Sequence, residues 1–505
     1  MNLGTIFSRH ARYRPDHPAI IFKDRTLTYS RLNRRINRLA NSLLSIGLEK
    51  GDKVATLLPN CVELLEIYWA CAKAGAVVVP MSTMLRPGAV KTLTEDARIA
   101  CLFLNGQTAG LLKTDDKDVE TIIPHGVITV GEAGEGEFTP YEDFLSKGAA
   151  TSPEVPDITP SDLYNIMYSS GTTGKPKGIM LTHGIRIMYG TCFASSFRIT
   201  PESRILHAGA IVFNGAFVDL MPTVYTGATY ILMESFEPES FIETIHEKQV
   251  THVMMVPAQV VAVLNHPDFS PEKLASLEMI LSLGAPLLME HKNEINRLLP
   301  GRFYELYGLT EGFVTVLDKY DYPSKPESVG SPPPLFEIKI ADDKGNSLPA
   351  GEVGEICGKG PIQMVGYQNL PGLTKDVVVD GWLKSGYMGY VDGDGFLYLV
   401  DRKKDMILSG GVNVYPRDIE EIAARHPSIR EVAVFGIPDD KWGETPCAAV
   451  TLLPGETISR EELKSWINAK VDAAFQRLSK LVILDEFPRN VAGKVLKREL
   501  QQTHA

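Results

Sequence analysis

Cysteine is sparse. The six, Cys61, Cys71, Cys101, Cys192, Cys357 and Cys447, are scattered through 505 residues with no C-x-x-C pair and no metal-ligand spacing. That pattern points away from a zinc site and from a disulfide framework, and it fits a reducing, cytoplasmic compartment. Positive charge is not in excess either: the formal net charge is -11 and the pI about 5.6, which argues against overall attraction to nucleic acid or to an anionic membrane surface. Long apolar runs are also missing. The N-terminus from Met1 to Phe7 has no extended apolar core, and the apolar stretch from Ala208 to Met221 is broken by Asn214 and Asp219, so neither a signal peptide nor a transmembrane helix is expected. No internal repeat and no low-complexity tract is visible.

What is present is core-forming material: 44% of residues are hydrophobic and 22% charged. A single core stops growing at roughly 250–300 residues, so at least two domains are expected. Leu32, Ile36, Leu39, Leu43 and Leu44 recur at helical spacing and stop before Gly47. Residues 53–58 then read as a buried strand, 62–74 as a helix and 77–79 as another strand. The rhythm returns with a strand at 228–233, a helix at 238–248 and a strand at 253–256. Such alternation predicts parallel βαβ units, hence an α/β fold with layered parallel-rich sheets. Near Gly351 the texture changes to short strand candidates separated by Gly and Asp, a β-rich edge of the large domain. The charged run Asp401, Arg402, Lys403, Lys404, Asp405 follows and reads either as a hinge or as an ordinary charged turn. Placing the boundary there gives an N-terminal domain 1–401 and a small, mobile α+β C-terminal domain 402–505.

The most informative stretch is 168–178, which contains Ser169, Ser170, Gly171, Thr172, Thr173, Gly174, Lys175 and Lys177. Glycines let the backbone curl so that its N–H groups face a polyphosphate, hydroxyls add donors, and lysines add charge. It is not a Walker loop, because only two residues separate Gly171 from Gly174. The stretch resembles the phosphate-binding loop of the adenylate-forming superfamily, and the resemblance, to its acyl-CoA synthetase (acid:CoA ligase) branch, runs through nearly the whole chain.

That resemblance implies roles for other residues. Tyr307, Gly308, Thr310 and Glu311 look like the family's second core motif, with the aromatic against adenine, the threonine at the α-phosphate and Glu311 helping to hold Mg²⁺. Gly284 and Ala285 resemble a small-residue turn where adenine and acyl group pass close to backbone. Arg402 is expected near the ribose and Lys404 as the hinge pivot, while Ser409, Gly410 and Gly411 resemble the lining of the CoA channel. Lys494 looks like the catalytic lysine that bridges the carboxylate and the α-phosphate, offsetting negative charge as pyrophosphate leaves. Phe213, Asn214, Gly215 and Val256 are candidates for the acyl pocket. No lysine or arginine in that pocket announces a dicarboxylate; with Phe213, Met254, Met255 and Val256 there, a mainly apolar acyl or aryl group is expected.

Two positions depart from the family pattern. Tyr387 stands where an aspartate ordinarily accepts from both ribose hydroxyls, and a tyrosine cannot reproduce a bidentate carboxylate, a loss on the order of 1–3 kcal/mol. A natural variant, a deliberately disabled form and a nucleotide-binding pseudoenzyme all stay open there. Val212 stands where a histidine is common, and His207 is not taken as its replacement. The resemblance implies an ATP-dependent acid:CoA ligase that works through an acyl-AMP with release of pyrophosphate and uses ATP, Mg²⁺ and coenzyme A. A stand-alone enzyme loading a carrier protein is the enzymatic rival. The partners expected are these small molecules, with no nucleic acid and no membrane span, and the oligomeric state is unreadable.

Overall fold

The structure is a computed structural model that describes residues 2–113, 122–132, 138–155, 157–169, 176–402, 405–409, 412–439, 442–471, 473–489 and 495–504. The chain divides into two compact units, one of residues 1–337 with 358–383, the other of 338–357 with 384–505.

The first unit is built on two eight-stranded sheets. In one, the order is Val314–Leu317, Phe303–Gly308, Met279–Leu283, His252–Met255, Arg204–His207, Thr229–Leu232, Pro18–Phe22, Arg25–Thr28. Every neighbouring pair is parallel except the outermost pair at each end. The parallel strands are buried on both faces, as βαβ crossovers require. Leu206, Ile231, Val253, Ile280 and Phe303 join Phe241, Ile242 and Ile245 of the Pro238–Lys248 helix in one core. In the second sheet Lys53–Leu57, Val77–Pro80 and Ile99–Asn105 are parallel, and Leu163–Ser169 turns back antiparallel into Lys177–Thr182.

Periodicity located most of these elements well. The Val62–Ala74 helix spans the residues expected, and Gly75 ends it at φ +77, a left-handed conformation that glycine adopts without strain. The helix expected from the stripe beginning at Leu32 starts earlier than that stripe, at Tyr29, because Thr28 caps it with its side-chain oxygen on Arg31 N–H.

The second unit pairs residues 387–391 with Leu397–Arg402 in a β-hairpin, and carries a further sheet in the order Val412–Val414, Ile407–Ser409, Gly443–Leu452, Ile429–Asp439, with Lys480–Ile483 on Gly443–Leu452. Helices Pro416–Ala423 and Arg460–Asn468 cover it through Ile419, Leu463 and Ile467.

Candidate active site

In an open parallel sheet, ligands bind beyond the carboxyl ends of the strands, where loops diverge. Four adjacent parallel strands of the first sheet end in predicted site residues. Phe303–Gly308 runs into Leu309, Thr310 and Glu311; Met279–Leu283 into Gly284 and Ala285; His252–Met255 into Val256; Arg204–His207 into the turn holding Phe213, Asn214 and Gly215. The candidates therefore stand side by side along one edge. A Cβ on Gly284 would lie 3.6 Å from Val256 Cγ1, and one on Gly215 would lie 3.4 Å from Leu283 Cδ1. Gly284 and Ala285 are exposed, as is Val256 at 42%, and Thr310, Glu311, Phe213, Asn214 and Gly215 are half-buried. Tyr307, expected against adenine, is buried and packs edge-on to Phe313 at 6.2 Å.

The strands flanking the expected phosphate loop belong to the second sheet. Ser169 pairs with Lys177 and Tyr168 with Gly178, so the strand ends on either side of the loop are in fixed register. Ser170, Gly171, Thr172, Thr173, Gly174 and Lys175 lie outside the described residues, as do Lys404, Gly410, Gly411 and Lys494. Several contacts join the two sheets at this point. Tyr367, whose strand pairs antiparallel with Lys177–Thr182, donates its hydroxyl to Glu311 Oε1 at 2.9 Å, and Lys177 Nζ lies 5.4 Å from the centre of the Tyr367 ring. Met364 N–H bonds Glu311 O at 2.8 Å and Val365 N–H bonds Met180 O at 3.0 Å, fastening the same junction through the backbone. Burial and the neighbouring carboxylate push the Tyr367 hydroxyl pKa well up, so it stays a donor. No motif marks Tyr367 in the sequence; only a strand pairing across a long separation reveals it.

Among the described residues no three His, Cys, Asp or Glu side chains form a metal cluster. A lone carboxylate oriented by a tyrosine fits Mg²⁺, which binds through one or two carboxylates together with substrate phosphates and water. Glu311 is the residue that would hold it, and the ion would neutralise phosphate charge there.

Behind the turn expected to wall the acyl pocket lies a polar framework that sequence reading also missed. Asn60 Nδ2 donates to Gly209 O at 2.7 Å and its Oδ1 accepts from Ile211 N–H at 2.9 Å, so one side chain fixes the turn's entry. Tyr68 O–H bonds Ile211 O at 3.1 Å. His207, fully buried, pairs through Nδ1 with Asp219 Oδ2 at 2.8 Å and stacks on Tyr230. Val212, in place of the common histidine, is buried.

In the second unit, Tyr387 stands directly opposite Arg402 across the hairpin, so two residues expected at the ribose share one register position. Tyr387 is half-buried, with its N–H bonded to Ser385 Oγ at 3.0 Å. Ser409 pairs with Val412 and with Gly443.

The AMP-binding enzyme family model matches residues 7–368 and the AMP-binding enzyme C-terminal domain matches 418–494. The chain belongs to the AMP-binding enzyme family. It is similar to a feruloyl-CoA synthase of an Amycolatopsis species, 34% identical over 99% of this chain and 98% of that one. It is 32% identical to the fatty acid--[acyl-carrier-protein] ligase ScoC of Streptomyces coeruleorubidus, over 98% of this chain and 95% of that one. Among solved structures, ATP-bound MatB from Rhodopseudomonas palustris superposes with a TM-score of 0.90 at 29% identity, over 100% of this chain and 99% of that one. Membership makes the chain an AMP-forming acyl-CoA synthetase that uses a carboxylic acid, ATP, Mg²⁺ and coenzyme A. No helix among the described residues is long and apolar enough to cross a membrane.

Proposed function

We propose that the chain activates its acid as an acyl-AMP, with release of pyrophosphate, and then transfers the acyl group to the thiol of free coenzyme A. The supporting observation is the Lys177–Tyr367–Glu311 junction, which lies at the end of the same strand row that carries Gly284, Val256 and Asn214. A nucleotide triphosphate held at that junction would have its α-phosphate toward Thr310. An acid held against Val256, Phe213, Asn214 and Gly215 would present its carboxylate for in-line attack. No side-chain nucleophile is required; positioning and charge stabilisation supply the rate.

In this reading residues 1–401 bind ATP and acid. Residues 402–505 supply Lys494 for the first half-reaction and, after turning about Lys404, the 409–411 segment for the second. Arg402 and Tyr387 would lie at the ribose. A cytoplasmic location fits the six free cysteines, five of them buried.

Acid-dependent ATP–pyrophosphate exchange, with and without CoA, tests the reading. Exchange that Lys494→Ala lowers by about 10²-fold or more, with thioester formed only when free CoA is added, is the expected result. Thioester formed only on a carrier protein would favour the reading that the ScoC relationship supports. Absence of exchange with every acid, restored by Tyr387→Asp, would make the chain a ligase disabled at the ribose; absence in both forms would leave the pseudoenzyme.

A further inference from the structure

Arg186, on the His183–Phe197 helix, has no solvent exposure. Its Nε donates to Asn165 Oδ1 at 3.1 Å, and its guanidinium carbon lies 4.0 Å from the centre of the Phe217 ring and 4.7 Å from that of Tyr189. Its two terminal nitrogens have no hydrogen-bond partner among the described residues, and neither has Asn165 Nδ2. Burial pulls the Arg186 pKa down, opposed by the tyrosines 189, 164 and 68. The Tyr189 hydroxyl is itself engaged by Asn214 Nδ2 at 3.2 Å.

A buried, unpaired charge is among the most destabilising features a core can hold, and two aromatic faces offset only part of that cost. The orphaned nitrogens are all donors. Asn214 Oδ1 is also unpartnered, but the orientation of an amide follows its network. Turned over, it would accept from the tyrosine and expose a further N–H₂. With the Asn214 amide so turned, the unpartnered groups around the positive charge are donors, the complement of a carboxylate, which accepts through both oxygens. The location is equally specific. Tyr189 and Asn214 connect Arg186 to the half-buried turn that forms the expected acyl-pocket wall, so the guanidinium lies one side chain behind that wall.

We propose that Arg186, with Asn165, binds a second carboxylate at the far end of the acid, making the substrate a dicarboxylic acid with an apolar linker. The proposal rests on the acid-activating reading above and deepens it. The apolar Val256 and Met254 would accommodate the linker, which keeps the apolar acyl group expected from the sequence and adds a distal charge to it. An occupant reaches Arg186 past Asn214, whose bond to Tyr189 opens to admit it.

The test compares saturated α,ω-dicarboxylates from malonate to pimelate, and phthalate, with the monocarboxylates of matched skeleton in ATP–pyrophosphate exchange. The best diacid is expected to exceed its monoacid at least tenfold in kcat/KM. Arg186→Leu is expected to lower that ratio at least a hundredfold, Arg186→Lys less, while Arg186→Leu melts no lower than the parent protein. A purely structural arginine would leave the ratio unmoved. Monoacids preferred throughout, or a ratio that survives Arg186→Leu, overturns the proposal. If no acid supports exchange, the adenylation reading fails separately, and thermal shift decides this one. Diacids should raise the melting temperature of the parent protein and not of Arg186→Leu; no shift in the parent overturns it.

Discussion

Replacing Tyr367 by phenylalanine isolates the contact on which the proposed nucleotide site depends. The hydroxyl donates to Glu311 Oε1 at 2.9 Å, while the ring lies 5.4 Å from Lys177 Nζ. Phenylalanine keeps the ring, and with it the cation–π attraction of about 0.5–1 kcal/mol, and removes only the donor. A hydrogen bond to a charged acceptor contributes about 1.5–3 kcal/mol. Glu311 is half-buried, so water replaces part of the loss and about 1–2 kcal/mol remains, roughly a 5- to 30-fold effect. In the proposed site the other Glu311 oxygen would be the one offered to Mg²⁺, so the loss should appear as a higher Mg²⁺ requirement. Initial rates of acid-dependent pyrophosphate release across a Mg²⁺ series at fixed ATP measure it, with melting temperature as the control. The expected result is a rise in half-saturating Mg²⁺ within that range, with a melting temperature close to the parent. Unchanged Mg²⁺ dependence in a folded Tyr367→Phe protein would refute the assignment of Glu311 as a carboxylate oriented for the cation.

Two further outcomes follow from buried charge in the first unit. Glu66 has no exposure, takes Arg35 at 2.5 and 3.1 Å and accepts the Tyr141 hydroxyl at 2.6 Å; Arg35→Met strands the carboxylate and should cost about 3–5 kcal/mol in urea unfolding, whereas a loss below about 1 kcal/mol would mean that the pair is screened as a surface pair is. Burial lowers the pKa of His183 and of His252 to about 4. The unfolded chain binds those protons near 6.5, so the stability they confer is complete above that pH and lost as pH falls from 6.5 toward 4, by about 3 kcal/mol for each. Unfolding midpoints at pH 7 and 4.5 measure this; His252→Gln should flatten the decline, and equal midpoints in the parent protein would contradict it.

The elements that the sequence revealed are those with a local signal. The Pro238–Lys248 helix and the strands around it carry their periodicity in single windows, and the hydroxyl- and glycine-rich loop at 168–178 carries its chemistry in adjacent residues. Tyr367 and Asn60 make pairings that join residues far apart in the chain, and the contacts of Arg186 are fixed by tertiary packing. Tyr367 reaches Glu311 only because a two-residue strand docks on Lys177–Thr182. Arg186 sits in a helix rich in apolar residues, where an arginine reads as a surface position until the packing of Phe217 and Tyr189 over it is known. Tyr387 was conspicuous as a departure, but its position opposite Arg402 needed the hairpin register.

Gly284 and Gly308 both fall in motif-like strings, yet the structure requires glycine at each for a different reason, and the difference is measurable. Gly284 has φ +92 and open space, the nearest atom to an added Cβ being Val256 Cγ1 at an ordinary 3.6 Å. Alanine there strains the backbone by about 1–2 kcal/mol and clashes with nothing. At Gly308 an added Cβ would meet Val314 Cγ1 at 2.6 Å and Phe313 O at 2.9 Å, so crowding sets a cost of about 1–3 kcal/mol. Double-mutant cycles separate the two. Val314→Ala should recover part of the stability lost in Gly308→Ala, the remainder reflecting the carbonyl, whereas Val256→Ala should recover none of the loss in Gly284→Ala. Recovery by Val256→Ala would show that Gly284 is held by packing. Because the Gly284 Cβ points into the open strand-end row beside Val256, Gly284→Ala should also lower acid-dependent pyrophosphate exchange beyond what its stability loss explains; exchange that merely tracks the folded fraction would remove Gly284 from the ligand site.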